Sequence, residues 1–268
     1  MSTASALWHY ATLTDVGRMR QNNEDSIAVH PEQGVLVLAD GMGGYNAGEV
    51  ASAMATARIG EAMSQVLAQG EQADWGPDHI DEAIQASVRA ANRAIFEAAH
   101  THAPYAGMGT TLVMAVCLNE RALVGHVGDS RAYLWRGNTL ARITRDHSLL
   151  QERIDAGLMS EEEAAESLFR GFVTRALGVE DWVQADVGEL RVQTGDILLL
   201  CSDGLSDMVP DGRIANLLAQ SQTLHAAARA LVDEANANGG RDNISLALAQ
   251  YTGDRKSTRL NSSHALAS

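Results

Sequence analysis

The chain has little of what marks several protein classes at a glance. Two cysteines in 268 residues exclude a disulfide-stapled scaffold. Both, Cys117 and Cys201, fall inside apolar runs that read as buried strands, where a thiol serves as a small hydrophobe. Basic residues are scarce, with 20 Lys and Arg against 34 Asp and Glu and a net charge of −14. That balance opposes binding to nucleic-acid backbones and to anionic membrane surfaces alike. No apolar run reaches the roughly 18 residues of a membrane span. The opening MSTASALWHYATLTD also lacks a cationic leader followed by an apolar stretch. A soluble, cytoplasmic protein is the expectation. What is present, 46% hydrophobic and 20% charged residues, is the composition of a globular chain of one large domain or two ordinary ones.

Apolar runs of strand length recur at 35–39, 111–118, 123–127, 132–135, 197–201 and 244–249, most bounded by Gly, Asp or Asn. Helical periodicity covers 49–69 and 77–100, the second with Ile80, Ile84, Val88, Ala91 and Ile95 at spacings of three and four. Two more helices are expected at 211–220 and 224–236, the latter followed by Asn-Gly-Gly. Strands follow one another without a helix between 110 and 144, so antiparallel sheet packed against helices fits better than a βαβ alternation. From 145 to 175 the pattern changes to short, Glu-rich helical pieces, an excursion from the main body. Residues 254–268 have no periodicity, and DRKSTRLNSSH resembles the in-frame translation of a sequencing-library adapter. The domain is therefore expected to end at 253, with a non-native or disordered tail.

Four apolar strands adjoin a turn that carries an aspartate: Asp40 in VLVLADGMGG, Asp129 in GHVGDSR, Asp203 in ILLLCSDGLSD and Asp242 in GGRDNIS. Each alone is ordinary turn chemistry. Together they place carboxylates at the ends of strands that can converge, and converging carboxylates repel unless a cation neutralises them. A divalent-metal site is the simplest reading. Gly41, Gly43 and Gly44 clear side chains from beside Asp40, so backbone carbonyls and a phosphate can come close. A nucleotide cradle is the rival, but no Gly-Lys-Ser/Thr ending or G-x-G-x-x-G pattern supports it. In TDVGRMRQNNED, Arg18 and Arg20 stand close to Glu24 and Asp25, and a guanidinium fork suits phosphate oxygens. A surface salt-bridge cluster is the alternative there.

These motifs occur in an order that resembles a known family. TDVGRMRQNNED, ADGMGG followed by GEVAS, GTT, VGDSR, TRDHS, TRALG, SDGLSD and GGRDN are similar to those of bacterial metal-dependent protein Ser/Thr phosphatases of type 2C, the PPM family, over residues 8–251. The resemblance implies an α+β fold: a four-layer αββα sandwich of two antiparallel sheets flanked by helices. Residues 1–253 would form the catalytic domain, with 145–175 as a small helical flap beside the cleft. It also implies two Mn²⁺ or Mg²⁺ ions and a third, weaker one. Asp40 would bridge the pair, the Gly41 carbonyl would help hold one ion, Asp203 and Asp242 the other, and Asp129 would join Asp203 at the third. Glu24 and Asp25 would act through metal-bound water. The implied reaction is hydrolysis of phosphoserine and phosphothreonine by in-line attack of a metal-bridging hydroxide, with Arg20 binding the substrate phosphate and Arg18 a less certain accessory. Phosphorylated proteins would be the partners, in opposition to a bacterial Ser/Thr kinase, with a monomer as the default.

Many bacterial members read DGMGGH, whereas this chain reads DGMGGY. Tyr45 thus stands where a proton-transferring histidine is proposed, and a phenol titrating near pH ~10 is a poor donor at neutral pH. His126 and His147 are the other candidates for a general acid. Each is weighed against a structural role. His100 and His102 read as solvated residues at a helix end. Ser130 lacks the G-x-S-x-G elbow of a serine hydrolase. A binding module that had lost catalysis would be expected to lack Asp40, Asp203 or Asp242, and all three are present. A small-molecule phosphoesterase stays open, because cations and arginine see only the phosphate.

Overall fold

The computed structural model describes residues 7–44, 47–69, 76–165, 167, 169 and 171–253. One sheet is built from β2 (Asp25–His30), β3 (Val35–Met42), β5 (Leu112–Cys117), β6 (Arg121–Val127) and β9 (Asp186–Arg191), in that spatial order, with the short β4 (Gly109–Thr110) on β3. The other has the order β1 (Trp8–Asp15), β11 (Ile244–Tyr251), β10 (Ile197–Cys201), β7 (Arg131–Arg136) and β8 (Thr139–Arg142). Every pairing between these strands is antiparallel. Helices α1 (Ala47–Gln69) and α2 (Pro77–Thr101) cover the first sheet, and α6 (Asp211–Gln220) and α7 (Leu224–Ala237) cover the second. The result is the expected αββα sandwich.

Three apolar layers explain the continuous hydrophobic runs. On β3, Val35, Val37 and Ala39 face the helices while Leu36 and Leu38 face the opposite sheet. On β11, Ile244, Leu246 and Leu248 pack under α6 and α7 while Ala247 and Ala249 fill the gap between sheets. A strand buried on both faces has no polar alternation to show. The periodic residues of α2, Ile80 to Ile95 at helical spacing, are all buried against the first sheet. Cys117 and Cys201 are buried and free, as their apolar settings suggested, and burial raises both thiols, Cys201 to about 12.

The strands without a clear sequence signal are those at sheet edges. β2 is half-buried along its whole length and β9 is largely exposed, so neither carries an apolar run. The segment 145–175 supplies α3 (Leu149–Asp155) and α4 (Glu161–Ala165), with Ser148 accepting the Gln151 N–H as N-cap and bridging to Val173. The tail at 254–268 lies outside the described residues, and among those described no helix is long and apolar enough to cross a membrane.

Candidate metal centre

The acidic turns meet where the two sheets end together. Asp25 and Asp40 are direct cross-strand partners on β2 and β3. Asp129 sits in the turn from β6 to β7, Asp203 opens the short helix α5 (Asp203–Ser206) after β10, and Asp242 lies two residues before β11. Asp40 feels the charges of Asp25, Asp203, Asp129 and Asp242, and Asp203 those of Asp129, Asp207, Asp242 and Asp25. One from each strand end, the predicted carboxylates do converge.

Small polar side chains hold these turns in place. The Asp40 N–H donates to Thr111 Oγ1 at 3.0 Å, and the Asp40 carbonyl accepts from Thr110 Oγ1 at 2.8 Å and from the Thr111 N–H at 2.9 Å. Ser202 Oγ donates to Asp25 Oδ2 at 2.8 Å and accepts the Ser245 N–H at 3.0 Å, tying β10, β11 and β2 together. The Asn243 amide accepts the Glu24 N–H at 2.8 Å and donates to the carbonyls of Val16 and Asn22, at 3.0 and 2.9 Å. Ser202, Asn243 and the two threonines were missed as supports, although SDGLSD, GGRDN and GTT contain them. Nothing in a sequence motif shows which carboxylate a hydroxyl will reach.

Gly41 is demanded by space. Its N–H donates to the Glu24 carbonyl at 3.1 Å, and a Cβ there would overlap the Gly48 carbonyl and lie 2.6 Å from the Glu24 oxygen. Helix α1 can therefore start directly against the Asp40 turn. Ser52, on its first turns, donates to the Glu24 carbonyl at 2.5 Å.

Burial, and then the neighbouring acids, push Asp40 and Asp203 well above the usual carboxylate range. Burial likewise lifts Asp25 to about 7, Asp129 to about 6 and Glu24 upward. Asp25 Oδ1 and Asp203 Oδ1 are buried and have no hydrogen-bond partner among the described residues. Orphaned acceptor oxygens in a cluster of like charges form a donor set suited to a hard divalent cation. Asp40, Asp203, Asp242 and Asp129 are the carboxylates that come together there, with Glu24 and Asp25 alongside.

Arg20 Nη2 lies 2.6 Å from Asp242 Oδ2, at the exposed rim of the cluster. Arg18 instead lies beside Gly240 and Asp15, its N–H donating to the Gly240 carbonyl at 2.7 Å. Tyr45 falls outside the described residues. His126 and His147 stack with ring centres 4.6 Å apart, and His126 Nε2 meets the Arg145 carbonyl at 2.8 Å. His100 is exposed and turned onto its own helix, with Nδ1 at 2.8 Å from the Phe96 carbonyl. Ser130 is wholly buried and bonded to Thr111 Oγ1 at 2.7 Å, which removes it as a nucleophile. Beside Asp129 and Asp203 opens a cavity of about 560 Å³, walled on its far side by α3 and α4. Asp146, unremarked in the sequence, anchors Arg131 at 2.7 Å and also pairs with Arg142 on its wall.

The sequence profile of the family "Protein phosphatase 2C" matches residues 17–248. The serine/threonine phosphatase stp of Listeria innocua is 37% identical over 245 residues, covering 90% of this chain and 95% of its own. The crystal structure of the Mycobacterium tuberculosis serine/threonine phosphatase PstP/Ppp superposes with a TM-score of 0.83 at 34% identity, over 92% of this chain and 99% of that one. The catalytic domain of PstP in complex with two manganese ions gives a TM-score of 0.80 at 34% identity, over 92% and 99%. On motif order, fold and overall likeness together, this chain belongs to the protein phosphatase 2C family.

Proposed function

We propose that this chain is a metal-dependent protein Ser/Thr phosphatase. The observation that carries the reading is the cluster of buried carboxylates with oxygens that lack a hydrogen-bond partner among the described residues, in a chain whose relatives include a phosphatase with two manganese ions. Asp40, the Gly41 carbonyl, Asp203 and Asp242 would hold a pair of Mn²⁺ or Mg²⁺ ions, with Asp129 and Asp203 at a weaker third. Bound there, the ions would lower the pKa of water for attack on phosphorus and offset charge on the phosphoryl group. Glu24 and Asp25 would orient water beside the ligands. Arg20 reaches the rim on a long side chain, where its guanidinium can leave Asp242 for a phosphate. No side chain is needed as a nucleophile, in keeping with the buried state of Ser130.

Within this reading, 1–253 is the catalytic domain and 145–175 the flap, whose helices wall the cavity beside Asp129 and Asp203. The substrates are phosphorylated proteins in the cytoplasm, the enzyme opposes a Ser/Thr kinase, and it acts as a monomer. Phosphate release from a phosphothreonine peptide tests the core of the reading, run with manganese, with chelator and with Asp203→Asn. Turnover that needs both manganese and Asp203 supports it. Turnover confined to small phosphate esters, or unaffected by chelator, sinks it.

A further inference from the structure

His147 grips one residue by both of its backbone groups. Its N–H donates to the Gly128 carbonyl at 2.9 Å, and its Nδ1 accepts the Gly128 N–H at 3.1 Å. Gly128 has φ +100°, and a Cβ there would meet Thr111 Cγ2 at 2.8 Å, so this turn has one tightly specified conformation. The next residue is Asp129, nine-tenths buried. Whatever fixes Gly128 therefore aims the Asp129 carboxylate.

The far side of the His147 ring lies against an acid, without meeting hydrogen-bond geometry among the described residues. Its Nδ1 lone pair is engaged by Gly128, so the neutral ring carries its proton on Nε2, which faces Asp186 Oδ2 at 3.3 Å. Burial and the His126 ring hold its pKa below the ordinary histidine value, which favours the neutral ring. Asp186 Oδ1 in turn accepts from Arg175 Nη1 at 2.7 Å, and the His147 carbonyl accepts the Thr174 N–H at 2.8 Å. Thr174, Arg175 and Asp186 line a second cavity of about 410 Å³ together with Trp182, which is 62% exposed. His126, His147 and Asp186 bring three ligand atoms within 4.8 Å of one another, a spacing that would suit a cation. The proton on Nε2 occupies the lone pair such a cation would need, so the trio is not read as a cation site.

We propose that His147 is a positioning residue that sets Asp129 for cation binding by holding Gly128. The inference rests on the phosphatase reading above, through the role of Asp129 at the weaker cation. Outer residues that orient a ligand commonly change metal affinity by about 10- to 100-fold when replaced.

The test is a calorimetric manganese titration of the whole chain, its His147→Phe variant and its His147→Asn variant, with phosphopeptide kinetics alongside. Phenylalanine keeps a ring but has no acceptor for Gly128, whereas the Oδ1 of asparagine stands where Nδ1 stood. The expected result is that His147→Phe weakens the weakest manganese event by about tenfold or more and raises the manganese needed for half-maximal turnover in step. His147→Asn should restore most of the loss. Equal losses in both variants, or a titration untouched by phenylalanine, would overturn the proposal. Should the phenylalanine chain fail to fold, His147→Gln, whose acceptor sits one carbon farther out, takes its place with the same two outcomes. A parent chain that binds no manganese defeats the phosphatase reading and this inference together. A parent that binds it, with unchanged variants, defeats only this one.

Discussion

Arg20 and Asp242 meet at 2.6 Å across 222 residues of chain, a cationic group seated on one member of an otherwise anionic cluster. Its side chain is 54% exposed, so the pairing sits in water and is individually weak. On the proposed reading, the arginine would exchange that carboxylate for a phosphate at small cost.

Replacing Arg20 should therefore harm turnover far more than stability. Arg20→Ala is expected to lower kcat/KM on a phosphothreonine peptide by about 10²- to 10³-fold, the loss typical of one donor aimed at developing charge. Arg20→Lys should recover part of it, since a single ammonium lacks the fork. A thermal melt run beside the kinetics should move by no more than a surface substitution does.

The raised carboxylates predict an unusual pH dependence for the cation-free protein. Asp25 sits at about 7 and Asp129 at about 6, against about 3.9 for an unfolded aspartate. Between those values the folded chain binds more protons than the unfolded one, so stability falls as pH rises through the window. Melting in chelator should be higher near pH ~5 than near pH ~8. A melting point that instead dropped on acidification over that range would contradict the assignment of these groups.

Manganese should remove that penalty. At a free concentration of about 100 times its dissociation constant, a cation bound only by the folded chain adds about 2.7 kcal/mol. The gain in melting temperature should be larger near pH ~8 than near pH ~5, because protons and cation compete for the same oxygens. Asp40→Asn and Asp203→Asn should abolish phosphopeptide turnover yet melt higher than the parent in chelator, each removing one charge from a crowded site.

Ser202→Ala tests the support beneath the acids. It strips a donor from Asp25 and an acceptor from the Ser245 N–H, both in buried surroundings. The expected cost is about 1–3 kcal/mol, read by denaturant melts. Gly41→Ala should be worse for activity than for folding, because the added methyl displaces either the start of α1 or the Asp40 turn.

Much of this was legible in the chain itself, for physical reasons. Strands such as β10 and β11 are buried on both faces and announce themselves as apolar runs, and the aspartates stand at their ends because turns favour that residue. β2 and β9 were not visible, since edge strands bury too little to leave a pattern. Within the centre, the acids could be picked out, whereas Ser202, Asn243 and Thr111 could not, because their partners lie on other strands. Asp186 had no signal of any kind, and only the fold brings it to His147.

β1 and β11, near the two ends of the folded body, lie side by side over eight residue pairs, and Asp242 comes just before β11. During synthesis, then, four of the five clustered aspartates would be present while the last was still to be added. A nascent chain short of its final strand would carry most of the acidic turns without a complete site. Under the proposed ligand set, hydrolysis would begin only after the closing strand had docked beside the first, and shorter products of translation would be inert.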